Sequence, residues 1–496
     1  MSKLTTRLYI LAIICLGIFL FRFNLFNTYV FKEDTARDML AVLRLYQNKK
    51  LTLIGPPISL GQYGTHVLYF GSLHYYIGMV GLLLQKFQVT AATLPNTLLM
   101  LFAIPAFYTL SESATKKIWQ RLLATALFTI SPVSVLYTRI FWNPSPILSI
   151  SVFFWVCFYF SHVKKQKTIW IFLAGILAGI IFNLHYFAAV PLLLVPILRI
   201  KSWRLSALWF VGGFILASMP LILFEFRHSW YLTQGFVQHL TNGTTTGYRT
   251  ILNRLSRIDR GLLVPFGLYD AEFHYKTLLQ LPRIFTATMG TLLCISIALW
   301  LHTTRNKILH TSFIYTGVIV TTFAFVITAL ASGSSEYFMR YLFAIYPILL
   351  LLVIFASLEY KSTTVLLLFL SMYAFINSLR VITSPARSAY GYIPVHNIEK
   401  ISTLIQKDNP KAPYNITENI IGDARATAFR YFLERDAFIK PASELEYENL
   451  NTLYVITQSE QKTRKEQRWE FTATKGLHMV KKIRIDNEWL LVYRKR

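Results

Sequence analysis

The run Val67-Leu-Tyr-Phe-Gly-Ser-Leu-His-Tyr-Tyr-Ile-Gly-Met-Val-Gly-Leu-Leu-Leu84 decides how the whole chain is threaded. By apolarity alone it qualifies as a membrane span. As a span it would put Lys116, Lys117 and Arg121 on the opposite side from Lys3 and Arg7. Lys and Arg in short loops gather on one face of a membrane, so a surface-lying helix is the consistent reading. Gly71, Gly78 and Gly81, interleaved with His74, Tyr75 and Tyr76, also suit an amphipathic interfacial helix better than a span.

Outward from this run, a window of about 19 residues places spans near residues 9–26, 94–112, 119–138, 147–163, 168–184, 187–201, 205–224, 283–302, 309–331, 338–357 and 363–382. Lys164, Lys165, Lys167, Arg199, Lys201, Arg204, Arg305, Lys307 and Lys361 then share one side with the N-terminus. With 54% of 496 residues hydrophobic, the composition is that of a polytopic α-helical membrane protein. About eleven transmembrane helices are expected. The first run carries no small-residue cleavage site and reads as a retained span.

The net charge of +26 therefore reports orientation rather than a nucleic-acid partner. Cys15, Cys157 and Cys294 lie inside apolar runs and encode neither a disulfide framework nor a zinc site. The predicted placement is multi-pass in a cell membrane, with the N-terminus cytoplasmic. The loops 27–93 and 225–282 and the tail then lie on the outer face.

From residue 384 onward no run is long enough to span, and charged residues occur throughout. Residues 1–383 are expected to form the membrane domain and 384–496 a small soluble α/β domain, extracytoplasmic. Helical spacing at 396–408 and 423–434 alternates with strand patterns at 452–457, 479–485 and 488–494, the last two forming a hairpin.

The outer face collects the polar chemistry. Phe31-Lys-Glu-Asp-Thr-Ala-Arg-Asp38 holds three carboxylates, Glu33, Asp34 and Asp38, and on a helix Asp34 and Asp38 share a face. Arg340, followed by Tyr341, sits at the mouth of a late span, where a guanidinium fork suits a phosphate whose lipid tail stays in the bilayer. Arg139 and Arg227, beside Glu225, end other spans, and His185 and His74 are further donors.

Carboxylates and cations on one lipid-facing surface match sugar transfer from a polyprenyl-phosphate donor. A carboxylate takes the proton of an acceptor hydroxyl as it attacks the anomeric carbon. The phosphate leaves as an anion, so no general acid is required, and direct displacement inverts the carbon. A transporter or lipid-linked-sugar flippase is the alternative, but it would place charges at mid-membrane, where few are found. An outer-face receptor built on the tail would tolerate loss of Asp34.

The order of features is a first span, an acidic motif, an interfacial aromatic helix, Ser131-Pro132 leading to Tyr137-Thr-Arg139, and Arg340-Tyr341. It resembles the GT-C glycosyltransferases over roughly residues 1–382, and more closely glycosyltransferase family 39, which includes protein O-mannosyltransferases and aminoarabinose transferases. The resemblance implies Asp34 as catalytic base, with Thr35 standing where the family has a glutamate. Glu33 and Asp38 are then candidates for acceptor or metal contact. It implies phosphate binding by Arg340 only, and a prokaryotic host; Arg139 and His185 stand as further phosphate-binding candidates from their own positions at outer helix ends.

Asn143 replaces an acidic residue of some relatives, so no divalent metal is assigned. The expected partners are membrane lipid, a lipid-linked sugar donor, and an acceptor that is a glycan, a lipid or a protein hydroxyl.

Overall fold

The computed structural model describes residues 2–58, 67–163, 167–198, 203–242, 258–267, 279, 281–304, 311–331, 339–384, 392–410, 412–436, 440–459, 468–472 and 476–495. Among these, Lys3–Arg22, Val89–Ser113, Arg204–Arg227, Ile284–Thr303 and Lys361–Thr383 are long and apolar enough to cross a bilayer. Ile118–Ile130 and Pro132–Thr138 together have the length and apolarity of a sixth, bent by 47° between them. The bend falls at Ser131-Pro132, where proline withholds a donor from the helical ladder.

Ile147–Val163, Lys167–Leu184, Thr311–Ala331 and Tyr346–Glu359 occupy four more of the expected positions. The outer faces of the long helices are apolar. On Lys361–Thr383, for example, Val365, Leu368 and Met372 are 67%, 61% and 59% exposed, as suits contact with hydrocarbon.

Two expectations are corrected. The predicted span 187–201 is not a continuous helix: Tyr186–Ala189 is followed by a 3-10 segment, Val190–Leu194, and a turn. Pro191 and Pro196 break the hydrogen-bond ladder there. The segment nonetheless has to return the chain along the bundle, because the helices on either side of it are parallel. A Cβ on Gly175 would sit 2.1 Å from the Phe210 carbonyl oxygen, and one on Gly179 2.6 Å from that of Phe214. Asn183 Nδ2 donates to the Ala217 carbonyl at 3.1 Å.

The second correction concerns 338–357. Met339–Leu342 is a 3-10 turn and the helix starts only at Tyr346, so Arg340 precedes the span instead of opening it. Residues 346–357 are buried all round, which makes this the central helix of the bundle. It is tied in by Tyr346, whose hydroxyl donates to Ser131 Oγ at 2.5 Å, while Trp155 Nε1 donates to the Ala344 carbonyl at 2.9 Å.

The run that decided the threading divides into strand β2 (Tyr69–Gly71), paired antiparallel with β1 (Ile54–Pro57), and the helix Leu73–Leu84. Twelve residues rise only about 18 Å, too little to cross a hydrocarbon core. Gly71 lies against Asn183, where any side chain would collide with Asn183 Oδ1.

In the tail, β3 (Tyr414–Glu418), β4 (Thr452–Thr457), β5 (His478–Ile485) and β6 (Glu488–Arg494) form one sheet in the order β3-β4-β6-β5, parallel only between β3 and β4. The helices Val395–Lys407 and Thr427–Asp436 and the β5–β6 hairpin agree with the sequence pattern, whereas β3 had no counterpart in it.

The acidic segment is the helix Glu33–Gln47. Thr35 closes its first turn, since Lys32 N–H donates to Thr35 Oγ1 at 3.0 Å. Ala36, Met39, Leu40 and Leu43 form a buried stripe at helical spacing and share one apolar core with Ile398, Tyr431 and Phe432 of the tail.

A charged clamp reinforces this contact. Arg44 donates through Nε to Glu434 at 2.8 Å and through Nη1 to Glu444 at 2.8 Å. Burial raises the Glu444 pKa, but the hydrogen bond from Arg44 outweighs it and holds the carboxyl below its ordinary range. That contribution is present at neutral pH and is lost on acidification through the lowered value. Arg44→Ala is expected to cost about 1–3 kcal/mol, read as a fall in Tm at neutral pH. The difference from the parent should shrink in acid.

Candidate active site

One cleft gathers residues from six separate parts of the chain, Pro57 and Ile58 at the end of β1 among them. Asp34 and Arg37 come from the acidic helix, and Phe70 from β2. Trp142 and Asn143 come from the turn after Pro132–Thr138, His185 and Tyr186 from the end of Lys167–Leu184, and Arg340 and Tyr341 from the 3-10 turn. The space between them is about 550 Å³, counting the part open to solvent.

Arg37 sits between the two aspartates. Its Nη1 is 2.7 Å from Asp34 Oδ1 and its Nη2 is 2.8 Å from Asp38 Oδ1. The shared helical face of Asp34 and Asp38 is thus realised, but the two differ in access: the side chain of Asp34 is 43% exposed and that of Asp38 is fully buried. The guanidinium occupies the position a cation bridging them would need. Among the described residues no group of three or more His, Cys, Asp or Glu is arranged to hold a metal ion.

Also lining the cleft, the Arg340 guanidinium lies 5.7 Å from the Trp142 ring centroid and 5.6 Å from that of Tyr341. His185 packs between Phe70 and Tyr341, each ring centroid 5.1 Å away. Burial, and then the neighbouring charge of Arg340, hold its imidazole well below the ordinary histidine pKa, so it is neutral at physiological pH. Tyr186 donates its hydroxyl to the Tyr69 carbonyl, fixing that loop to β2. Asn143 donates through Nδ2 to the Leu184 carbonyl at 2.7 Å and closes the end of the helix behind His185.

Several predicted site residues have other work. Arg139 is buried away from the cleft, where Nη1 donates to the carbonyls of Leu20 and Phe23, each at 3.0 Å, and Nη2 to Thr28 Oγ1 at 2.6 Å. It satisfies the C-terminal end of the first span. Glu225 accepts from the backbone of Leu232 at 2.8 Å and Thr233 at 3.0 Å, capping the helix Tyr231–Asn242. Arg227 is exposed and does not line the cleft. His74 lies behind the cleft, stacked on Phe141 and facing Asp38. The side chain of Glu33 lies outside the described residues, as do positions 333–337 and most of 243–280.

Arg139→Met should therefore act on stability. A loss of about 1–3 kcal/mol, measured as a lower Tm, is expected, with the lining of the cleft unchanged in the folded fraction.

The cleft also contains Arg37, Phe70, Trp142 and Tyr186, which sequence reasoning did not assign to a site. Arg37 was discoverable, since it lies three residues from Asp34 and next to Asp38. The aromatic residues carried no comparable signal.

Comparison with solved structures bears on the fold. ArnT from Cupriavidus metallidurans bound to undecaprenyl phosphate superposes with a TM-score of 0.62 at 10% identity, over 99% of this chain and 98% of that one. This is the GT-C fold. The apo form of ArnT from the same organism matches the GT-C chain described here with a TM-score of 0.61, again at 10% identity over 99% and 98% of the two chains. An oligosaccharyltransferase from Archaeoglobus fulgidus shows a lower TM-score of 0.48 at 11% identity, over 98% of this chain and 73% of its own. No protein-family model and no curated protein sequence matches this GT-C chain.

Proposed function

We propose that this protein is a membrane glycosyltransferase that moves a sugar from a polyprenyl-phosphate donor to an acceptor hydroxyl, with Asp34 as general base and Arg340 at the donor phosphate. The observation that carries this reading is the meeting of an accessible carboxylate and a guanidinium in one cleft. The solved relative of the same fold, ArnT, carries undecaprenyl phosphate, which supports a lipid-phosphate donor.

In the reaction the acceptor oxygen attacks the anomeric carbon while Asp34 takes its proton. The bond from that carbon to the phosphate oxygen breaks, and polyprenyl phosphate departs with the electron pair. The second pKa of a phosphate monoester is about 6, so the departing group needs no proton, and Arg340 stabilises its new charge. A single displacement inverts the anomeric carbon. Neutral His185, beside Arg340, adds a donor without adding charge. The distribution of Lys and Arg supports a cytoplasmic N-terminus, with the cleft and tail on the outer face.

The test is incubation of the purified protein in lipid with a panel of labelled undecaprenyl-phosphate sugars, hexose and pentose, and an acceptor extract. Release of undecaprenyl phosphate with label passing to an acceptor is the expected result. Movement of intact donor between leaflets without cleavage would replace the reading with a flippase, and inertness toward every donor would remove the enzyme altogether.

A further inference from the structure

Four polar side chains form one line from the protein interior to the cleft. His74, which is 1% exposed, presents Nε2 to Asp38 Oδ2 at 3.2 Å. The other oxygen of Asp38 accepts from Arg37 Nε at 2.9 Å and faces Arg37 Nη2 at 2.8 Å. Arg37 then turns its remaining nitrogen, Nη1, to Asp34 Oδ1 at 2.7 Å.

A buried carboxylate at position 38 is costly unless it is paired, and an apolar residue would have filled the helix face more cheaply. Its pairing with Arg37 does something an apolar residue does not: a hydrogen bond from Nε and an ion-pair contact from Nη2 converge on one oxygen and restrict the guanidinium. The anchor behind it is rigid. The His74 ring stacks on Phe141 with centroids 4.2 Å apart and planes 19° apart. Gly78 leaves Phe141 no slack, since a Cβ there would lie 2.3 Å from its ring. Neither His74 nitrogen nor Asp38 Oδ2 makes a hydrogen bond among the described residues, so the ring meets the line only through the 3.2 Å approach of Nε2 to Asp38 Oδ2.

We infer that Asp38 and His74 are positioning residues for Asp34: they hold Arg37 so that it ties one oxygen of Asp34 and leaves the other turned to the acceptor hydroxyl. The inference rests on Asp34 being the base proposed above. A general base has to be within hydrogen-bond reach of the proton it removes, and a displacement of about 1 Å can cost on the order of 100-fold in rate.

The experiment compares the parent with Asp34→Asn, Asp38→Asn, His74→Phe and His74→Gln, in lipid, using the labelled donor that the parent turns over. Asp38→Asn and His74→Phe are expected to lower kcat by about 10- to 100-fold with KM for donor unchanged. His74→Phe keeps an aromatic ring on Phe141 but puts no nitrogen near Asp38, whereas His74→Gln returns a polar nitrogen to that place and should recover most of the rate.

Parent-like kcat in Asp38→Asn and His74→Phe, with Asp34→Asn inactive, overturns the positioning role and leaves the base intact. Parent-like turnover by Asp34→Asn overturns the base itself. If Asp38→Asn does not fold, the two His74 variants decide. Equal losses in both, tracking a lower Tm, would mean that the residue only packs.

Discussion

Asp34→Asn is expected to reduce sugar transfer by about 10²- to 10⁴-fold, the usual contribution of a general base, while donor binding survives. Asparagine keeps an oxygen that can accept from Arg37, so the variant preserves the contact now made at 2.7 Å and removes only the ability to take a proton. The measurement is the initial rate of label transfer beside a donor titration followed by tryptophan fluorescence. Trp142 lines the cleft and serves as a reporter. Transfer at the parent rate would exclude Asp34 as base and redirect attention to a different proton acceptor.

Arg340→Ala should lower kcat/KM by about 10²- to 10³-fold, the scale on which a single stabilising donor contributes. The loss should appear in donor KM as well as kcat, because the phosphate carries negative charge both before and after the bond breaks. Arg340→Lys is expected to recover part of the affinity and little of the rate, since an ammonium cannot offer two parallel donors to one phosphate. Donor KM indistinguishable from the parent in Arg340→Ala would place the phosphate elsewhere in the cleft, with Arg37 the other cation among the described residues of its wall.

Much of the membrane architecture was legible because lipid imposes a simple rule: a spanning segment is apolar for its whole length. Hydropathy therefore located ten helices, counting the bent one. It failed at 187–201 because it measures apolarity and is blind to the backbone donors that Pro191 and Pro196 lack. In the tail, Tyr-Asn-Ile-Thr-Glu at 414–418 hid a strand that is buried on both faces, with Asn415 satisfied by a distant carbonyl and Glu418 by backbone donors just after the strand.

The site was legible as an inventory but not as an arrangement. An arginine or carboxylate at the end of a helix can bind a ligand or cap backbone groups, and sequence does not distinguish the two. Arg139 and Glu225 turned out to be caps, while Arg340 faces the cleft. The convergence of Asp34 with Arg340, so distant in the chain, needed coordinates.

The shared core of the acidic helix and the tail has a consequence for biosynthesis. Ala36, Met39, Leu40 and Leu43 are translated early, yet the side chains that cover them, Ile398, Tyr431 and Phe432, emerge hundreds of codons later. A nascent chain with all its spans inserted still has a bare, unseated helix at Asp34. On the proposed function, competence to cleave a donor would thus arrive as a final step, when the helices Val395–Lys407 and Thr427–Asp436 dock, so half-made copies would not consume lipid-linked sugar.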